Sequence, residues 1–152
     1  LPLLENKKIK YIICGLGELE TELKKLAENL GVSEQVVFTG YRQDVSKILS
    51  ISDCFAFPSL QEGLPVALME AMAIPLPIIC SNIRGNKDLI INGKNGFLVN
   101  KNDENLYAEF LKRLIDNDNL KKQFENNNLV EIRKYDIEKI NTNMEKIYST
   151  YN

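Results

Sequence analysis

A chain of 152 residues with 44% apolar and 26% charged side chains has the composition of one soluble domain with a sizeable core. Its 19 basic and 21 acidic residues leave a net charge of −2, which gives no electrostatic basis for binding nucleic acid or an anionic membrane. There is no histidine, which excludes Ser-His-Asp and Cys-His nucleophilic sites and imidazole acid–base chemistry within the chain.

The opening LPLLENKKIK has no secretory apolar core and no initiator Met, so a piece of a longer chain is expected. No apolar run reaches the roughly 18 residues that span a bilayer. Lys10 to Cys14 is a short β-branched run and predicts a buried strand. Leu19, Leu23, Leu26, Ala27 and Leu30 recur at helical spacing, with Gly31 as the stop. Val36 to Phe38 predicts a second strand. Val45 to Ile51 predicts a short helix with Asp44 at its N-cap. Cys54 to Phe57 is a third strand. It is followed by a helix from about Pro65, suited to a first helical position, to Ala73. Ile78 to Cys80 is a fourth strand, Asn86 to Ile90 one helical turn, and Phe97 to Val99 a fifth strand after Asn-Gly turns. From Asp103 the chain is polar with apolar stripes at helical spacing. These are Leu106, Phe110, Leu111 and Leu114; then Leu120, Phe124, Leu129 and Ile132; then Ile137, Ile140, Met144, Ile147 and Tyr148.

This alternation predicts an α/β, Rossmann-like parallel sheet with helices on both faces and a helical C-terminal tail. It reads as one domain over 1–152, with an α/β core at 1–102 and helices at 103–152. Cys14, Cys54 and Cys80 sit in or beside apolar runs without CxxC spacing, so three buried structural thiols in a reducing compartment are expected. In such sheets ligands bind beyond the carboxyl ends of the strands, which directs attention to the loops after each strand.

Gly15-Leu16-Gly17 follows a strand and opens a helix, but Glu20 replaces the third glycine of a dinucleotide fingerprint, and a plain tight turn and a ligand loop both remain open. Asp116-Asn117-Asp118 falls between two amphipathic helices, where capping is the expected role rather than metal binding. PSLQEGLPVALMEAMA (58–73) is different. From Gly63 to Ile83 the only acidic residue is Glu70, set among Val66, Leu68, Met69 and Met72. A carboxylate desolvated there needs a partner. Glu62 lies in the loop after a strand, Gly63 permits close approach, and the amides of Leu64, Val66 and Ala67 at the helix start form an anion site. Two carboxylates flanking such a site suit vicinal sugar hydroxyls on either side of a diphosphate. The structural alternative is that Glu70 pairs with Arg84 or Lys87 and Glu62 caps the helix.

Here the sequence resembles the family 4 glycosyltransferases of the GT-B fold. EGLPVALME (62–70) matches their E-x7-E signature. IICGLGELETELKKLAENLGVSEQVVFTGY (12–41), SDCFAFPSLQEGLPVALMEAMA (52–73) and SNIRGNKDLIINGKNGFLV (81–99) resemble their Gly-x-Gly, Glu-Gly-x-Pro and Gly-rich segments in order. The resemblance implies the C-terminal donor-binding half of a retaining transferase that takes a hexose from a nucleotide-diphosphate sugar, commonly a UDP-sugar, without a metal or other cofactor. It implies that Glu62 holds donor-sugar hydroxyls and Glu70 the ribose. Gly63, Leu64 and Val66 meet sugar and phosphate through their backbone. Gly40, Tyr41 and Arg42 border the base, and Gly15, Gly17 and Ser59 complete the substrate-binding set. SNIRGN points to bacterial capsular or other surface polysaccharide synthesis. An acceptor glycan or lipid-linked sugar would bind through an N-terminal domain absent from this sequence, in a cytoplasmic enzyme whose full-length form has peripheral contact with the plasma membrane open to it. Pro75 stands where the family has Gly, and nothing before Lys7 matches the family's phosphate-clamping Arg and Lys, so this chain alone is expected to show little activity. A sugar-nucleotide epimerase of the same fold and a non-catalytic interaction domain are the alternatives.

Overall fold

The computed structural model describes residues 1–4 and 8–149. Five strands alternate with helices in chain order: β1 (Tyr11–Cys14), α1 (Glu20–Asn29), β2 (Val36–Gly40), α2 (Val45–Ser50), β3 (Phe55–Phe57), α3 (Val66–Ala73), β4 (Ile78–Ser81), α4 (Arg84–Lys87) and β5 (Phe97–Val99). Three helices follow: α5 (Glu104–Ile115), α6 (Asp118–Ile132) and α7 (Ile137–Ser149). The side chains of Ile140 and Ile147 in the third apolar stripe lie outside the described residues.

All strand pairs are parallel, as the alternation predicts. The hydrogen-bonded ladder is divided in two. β1 pairs with β2, and β4 lies between β3 and β5. Among the described residues no strand joins β1 to β3. The register of β1 on β2 slips after Ile13, where Cys14 meets Gly40 and the Thr39 hydroxyl donates to the Ile13 carbonyl at 3.3 Å.

β4 is buried along its whole length and organises the core. Successive strand residues face opposite sides. Ile78 and Cys80 join Leu68, Ala71 and Met72 of α3 in one cluster, while Ile79 joins Phe97, Val99, Phe110 and Phe124 in the other. Phe97 stacks on Phe110 with centroids 4.0 Å apart and meets Phe124 edge-on at 5.0 Å, so α5 and α6 complete the sheet's second face.

Several boundaries move for identifiable reasons. Pro65 is not the first helical residue. Its ψ of 94° is extended, and as N-cap its carbonyl accepts from Leu68 and Met69. Asp44 occupies the N-cap of α2 but does not cap it, because its carboxylate is bound to Arg42. The turn expected at 86–90 forms earlier, at Arg84–Lys87, because Ile83 is already the extended residue from which the chain coils. After α3, Pro75 breaks the helix while the Leu76 N–H returns to the Ala71 carbonyl at 3.0 Å. Asn117 caps α6 by accepting from the Leu120 N–H at 2.9 Å, which is the capping role expected there. Among the described residues no helix is long and apolar enough to cross a membrane.

Candidate functional site

The residues singled out by sequence gather in two clusters. In the first, the β1 and β2 termini are tied by the Gly15 N–H, which donates to the Gly40 carbonyl at 2.9 Å. Gly15 (φ 130°) and Gly40 (φ 64°) are both in backbone conformations that side chains rarely adopt, which explains glycine at the crossing. Gly17 lies beside them, and a depression of about 420 Å³ lined by Cys14, Gly15, Leu16, Gly17, Leu23 and others opens there. Tyr41 and Arg42 follow on exposed chain. The Arg42 guanidinium donates twice to the Asp44 carboxylate at 2.8 Å, and those bonds hold the Asp44 carboxyl below its ordinary range.

The second cluster lies at the carboxyl end of β3 and the start of α3. Ser59 and Glu62 are half-buried, and Gly63 is exposed. The first intrahelical bonds of α3 run from Leu68 and Met69 to Pro65, so the Val66 and Ala67 amides take no partner from the helix. Leu60, Leu64 and Val66 are 71%, 57% and 62% exposed, an apolar surface around the helix start.

The expectation that Glu70 is desolvated is corrected. Glu70 is exposed, because Leu68, Ala71 and Met72 take the inner side of α3 while Val66, Glu70 and Ala73 share the outer one. The structural alternative fails as well: among the described residues Glu70 pairs with neither Arg84 nor Lys87, and Glu62 does not cap α3. Among the described residues neither carboxylate has a protein partner. No hydrogen bond or ion pair among the described residues links this cluster to the first. The described residues hold no group of three or more His, Cys, Asp or Glu side chains placed to bind a metal ion.

Sequence reasoning did not single out Gly85. A Cβ at this position, on α4, would lie 2.4 Å from the Gly63 carbonyl oxygen and 2.8 Å from that of Glu62. The available signal was a glycine inside a helical turn with no conformational need for one.

The chain is similar to known proteins throughout this region. Residues 1–129 match the family described as glycosyl transferases group 1. The UDP-Gal:alpha-D-GlcNAc-diphosphoundecaprenol alpha-1,3-galactosyltransferase of Escherichia coli is 38% identical over 118 residues, covering 75% of this chain and 30% of that protein. The amylovoran biosynthesis glycosyltransferase AmsK of Erwinia amylovora is 35% identical over 113 residues, covering 69% and 28%. Among solved structures, a mutant of TarM from S. aureus in complex with fondaparinux, alpha-GlcNAc-glycerol and UDP superposes with a TM-score of 0.88 at 27% identity, over 99% of this chain and 31% of that one. The chain thus spans less than a third of the length of these relatives. The Rossmann-like α/β architecture is that of the GT-B glycosyltransferases. A match that runs from residue 1 to residue 129 takes in both loop clusters rather than a single motif, and on it the chain belongs to the group 1 glycosyl transferases.

Proposed function

We propose that this chain is the C-terminal, donor-binding part of a retaining, metal-independent family 4 transferase that moves a hexose from a UDP-sugar in bacterial surface-glycan synthesis. The observation that carries the proposal is the pair of partnerless carboxylates, Glu62 and Glu70, flanking free amides at the start of α3. A diphosphate at that helix start would meet N–H groups and the positive end of the helix dipole. Glu70, on the outer side of α3, would accept from ribose hydroxyls. Glu62, in the loop, would accept from hydroxyls of the transferred sugar. The main chain at Gly63, Leu64 and Val66 would contact phosphate and sugar, with Ser59 beside them, while Gly15, Gly17, Gly40, Tyr41 and Arg42 would border the base. In this scheme the carboxylates position the donor rather than serve as nucleophile and acid, and closure of an acceptor-binding domain would bring the acceptor hydroxyl to the anomeric carbon and exclude water.

The names of two relatives support the donor class and the surface-glycan setting. The E. coli protein is named for UDP-galactose and a diphosphoundecaprenol-linked acceptor, and AmsK for amylovoran biosynthesis. A cytoplasmic enzyme acting on a glycan or lipid-linked acceptor accords with both. The test is a ligand-observed NMR titration of the full-length protein with UDP, UDP-glucose, UDP-galactose, UDP-N-acetylglucosamine and GDP-mannose. Selective binding of one base is expected, weakened about tenfold or more in Glu70→Ala, the loss that fits removal of charge-assisted hydrogen bonds. Equal binding by Glu70→Ala and the parent would remove the ribose role, and no binding by the full-length protein would remove the donor-site assignment.

A further inference from the structure

We infer that Gly85 is a positioning residue for the donor sugar: its lack of a side chain lets the α4 turn seat against the Glu62–Gly63 peptide and so sets where the Glu62 carboxylate stands. This rests on the proposed role of Glu62.

The contact is between backbones. A Cβ at Gly85 would lie 2.4 Å from the Gly63 carbonyl oxygen, 2.8 Å from the Glu62 carbonyl oxygen and 3.0 Å from the Glu62 carbonyl carbon. None of these atoms can rotate away as a side-chain tip would, so an added methyl group must part the α4 turn from the peptide that carries Glu62. Conformational freedom does not explain the glycine. Gly85 is helical and is not among the positive-φ glycines, unlike Gly15 and Gly40, so its backbone would accept alanine readily. Close approach is the remaining reason for glycine at this position.

The support behind Gly85 is buried and hydrogen-bonded, and the loop in front of it is not regular. Asn86 is fully buried, and its Nδ2 donates to the Ser81 carbonyl at 2.9 Å, at the end of the wholly buried β4. The Lys87 and Ile90 N–H groups bond to the Ile83 and Asn86 carbonyls at 3.0 and 2.8 Å. The loop between β3 and α3 belongs to neither helix nor strand. Position therefore passes from β4, through the Asn86 turn and Gly85, to the Glu62 peptide.

The experiment uses the full-length protein and compares Gly85→Ala, Glu62→Gln, their double variant and Gly96→Ala. Gly96 is the control: its Cβ would press on the Ile78 carbonyl oxygen and Ile90 Cγ2, both at 3.0 Å, a buried clash at another place. Calorimetry measures affinity for UDP and for whichever UDP-sugar binds in the titration above. In Gly85→Ala, UDP affinity should fall only by what the Gly63 main chain contributes to the phosphate, while the added affinity of the UDP-sugar over UDP falls about tenfold or more beyond that, as when a charge-assisted contact is lost. Gly96→Ala should melt earlier with that ratio kept. The double variant should lose no more than Glu62→Gln, because both changes act on one contact. Parallel loss of UDP and UDP-sugar affinity in Gly85→Ala, or losses that multiply in the double variant, would overturn the inference. If Glu62→Gln keeps the ratio, the role given to Glu62 fails and this inference with it. If Glu62→Gln loses the ratio and Gly85→Ala keeps it, only the inference fails. Should Gly85→Ala not fold, hydrogen exchange on the parent decides. The coupling requires the UDP-sugar to protect residues 82–87 together with 58–64, and protection confined to 58–64 refutes it.

Discussion

Glu70 stands on the outer side of α3, between half-buried Met69 and buried Ala71. Composition alone suggested burial, since its neighbours are apolar for many residues in each direction. Helical geometry divides that run into an inner stripe of Leu68, Ala71 and Met72 and an outer one of Val66, Glu70 and Ala73, and the 3.6-residue period was the part of the sequence that foretold it. The thiols were misjudged in a related way. Cys54 is half-buried and Cys80 buried, but Cys14, expected inside, is exposed because it is the last residue of β1, where the chain leaves the sheet for the Gly15 loop. Burial pushes the Cys54 and Cys80 thiols up to about 12, so neither supplies thiolate near neutral pH. A thiol reagent at pH 8 should therefore label Cys14 quickly and the other two only on unfolding. Peptide mapping of the labelled protein checks this, and fast labelling of Cys80 in the native state would contradict it.

The helices after β5 show how an element can hide its function in plain polarity. The apolar stripe drawn for α6 placed Leu129 inward, yet Leu129 and Val130 are exposed and the inner face is completed by Asn128 and Glu131. Asn128 is fully buried. Its Nδ2 donates to the Leu76 carbonyl at 2.8 Å, and its Oδ1 accepts from Asn95 Nδ2 at 3.0 Å. Asn95 in turn donates to the Leu89 carbonyl and accepts from the Ile91 N–H. Polar residues at core positions thus join α6 to the segments after α3 and before β5, and no local pattern announces such pairing. Asn128→Ala should cost about 2–3 kcal/mol in urea unfolding, since it leaves the Leu76 carbonyl and one Asn95 donor hydrogen buried without partners. Glu131, also buried, is bonded to Lys134 and to Lys94, and those bonds hold its carboxyl below the ordinary range. With the folded pKa depressed, the stabilisation is complete above the ordinary carboxyl range and is lost as pH falls through the folded value. Glu131→Gln should thus be less stable than the parent at pH 7, with the gap closing toward pH 3. A gap that stayed constant in denaturant midpoints across that range would refute the assignment.

At the scale of the molecule, the order of strands and helices was legible because each is a local pattern, and so was the segment from Ser59 to Glu70, whose residues are neighbours in the chain. What depends on approach across the chain was not. Gly85 meets Glu62 only once β4 and α4 are in place, and nothing near Gly85 in the sequence points to that contact. The division of the ladder is of the same kind. The connection through α2 carries the chain from β2 to β3 without pairing them, and β3 then takes β4 as its partner. One edge of β1 and one of β3 therefore carry main-chain donors and acceptors that no described strand meets. Such edges are adhesive: each is a template on which another extended chain can lay itself down. The 152-residue chain by itself should be a poor solute. Sedimentation velocity should show association that grows with concentration, and a sharp monomer at every concentration would mean that the edges are sheltered. The division into two ladders makes this chain prone to join its own copies when it stands alone.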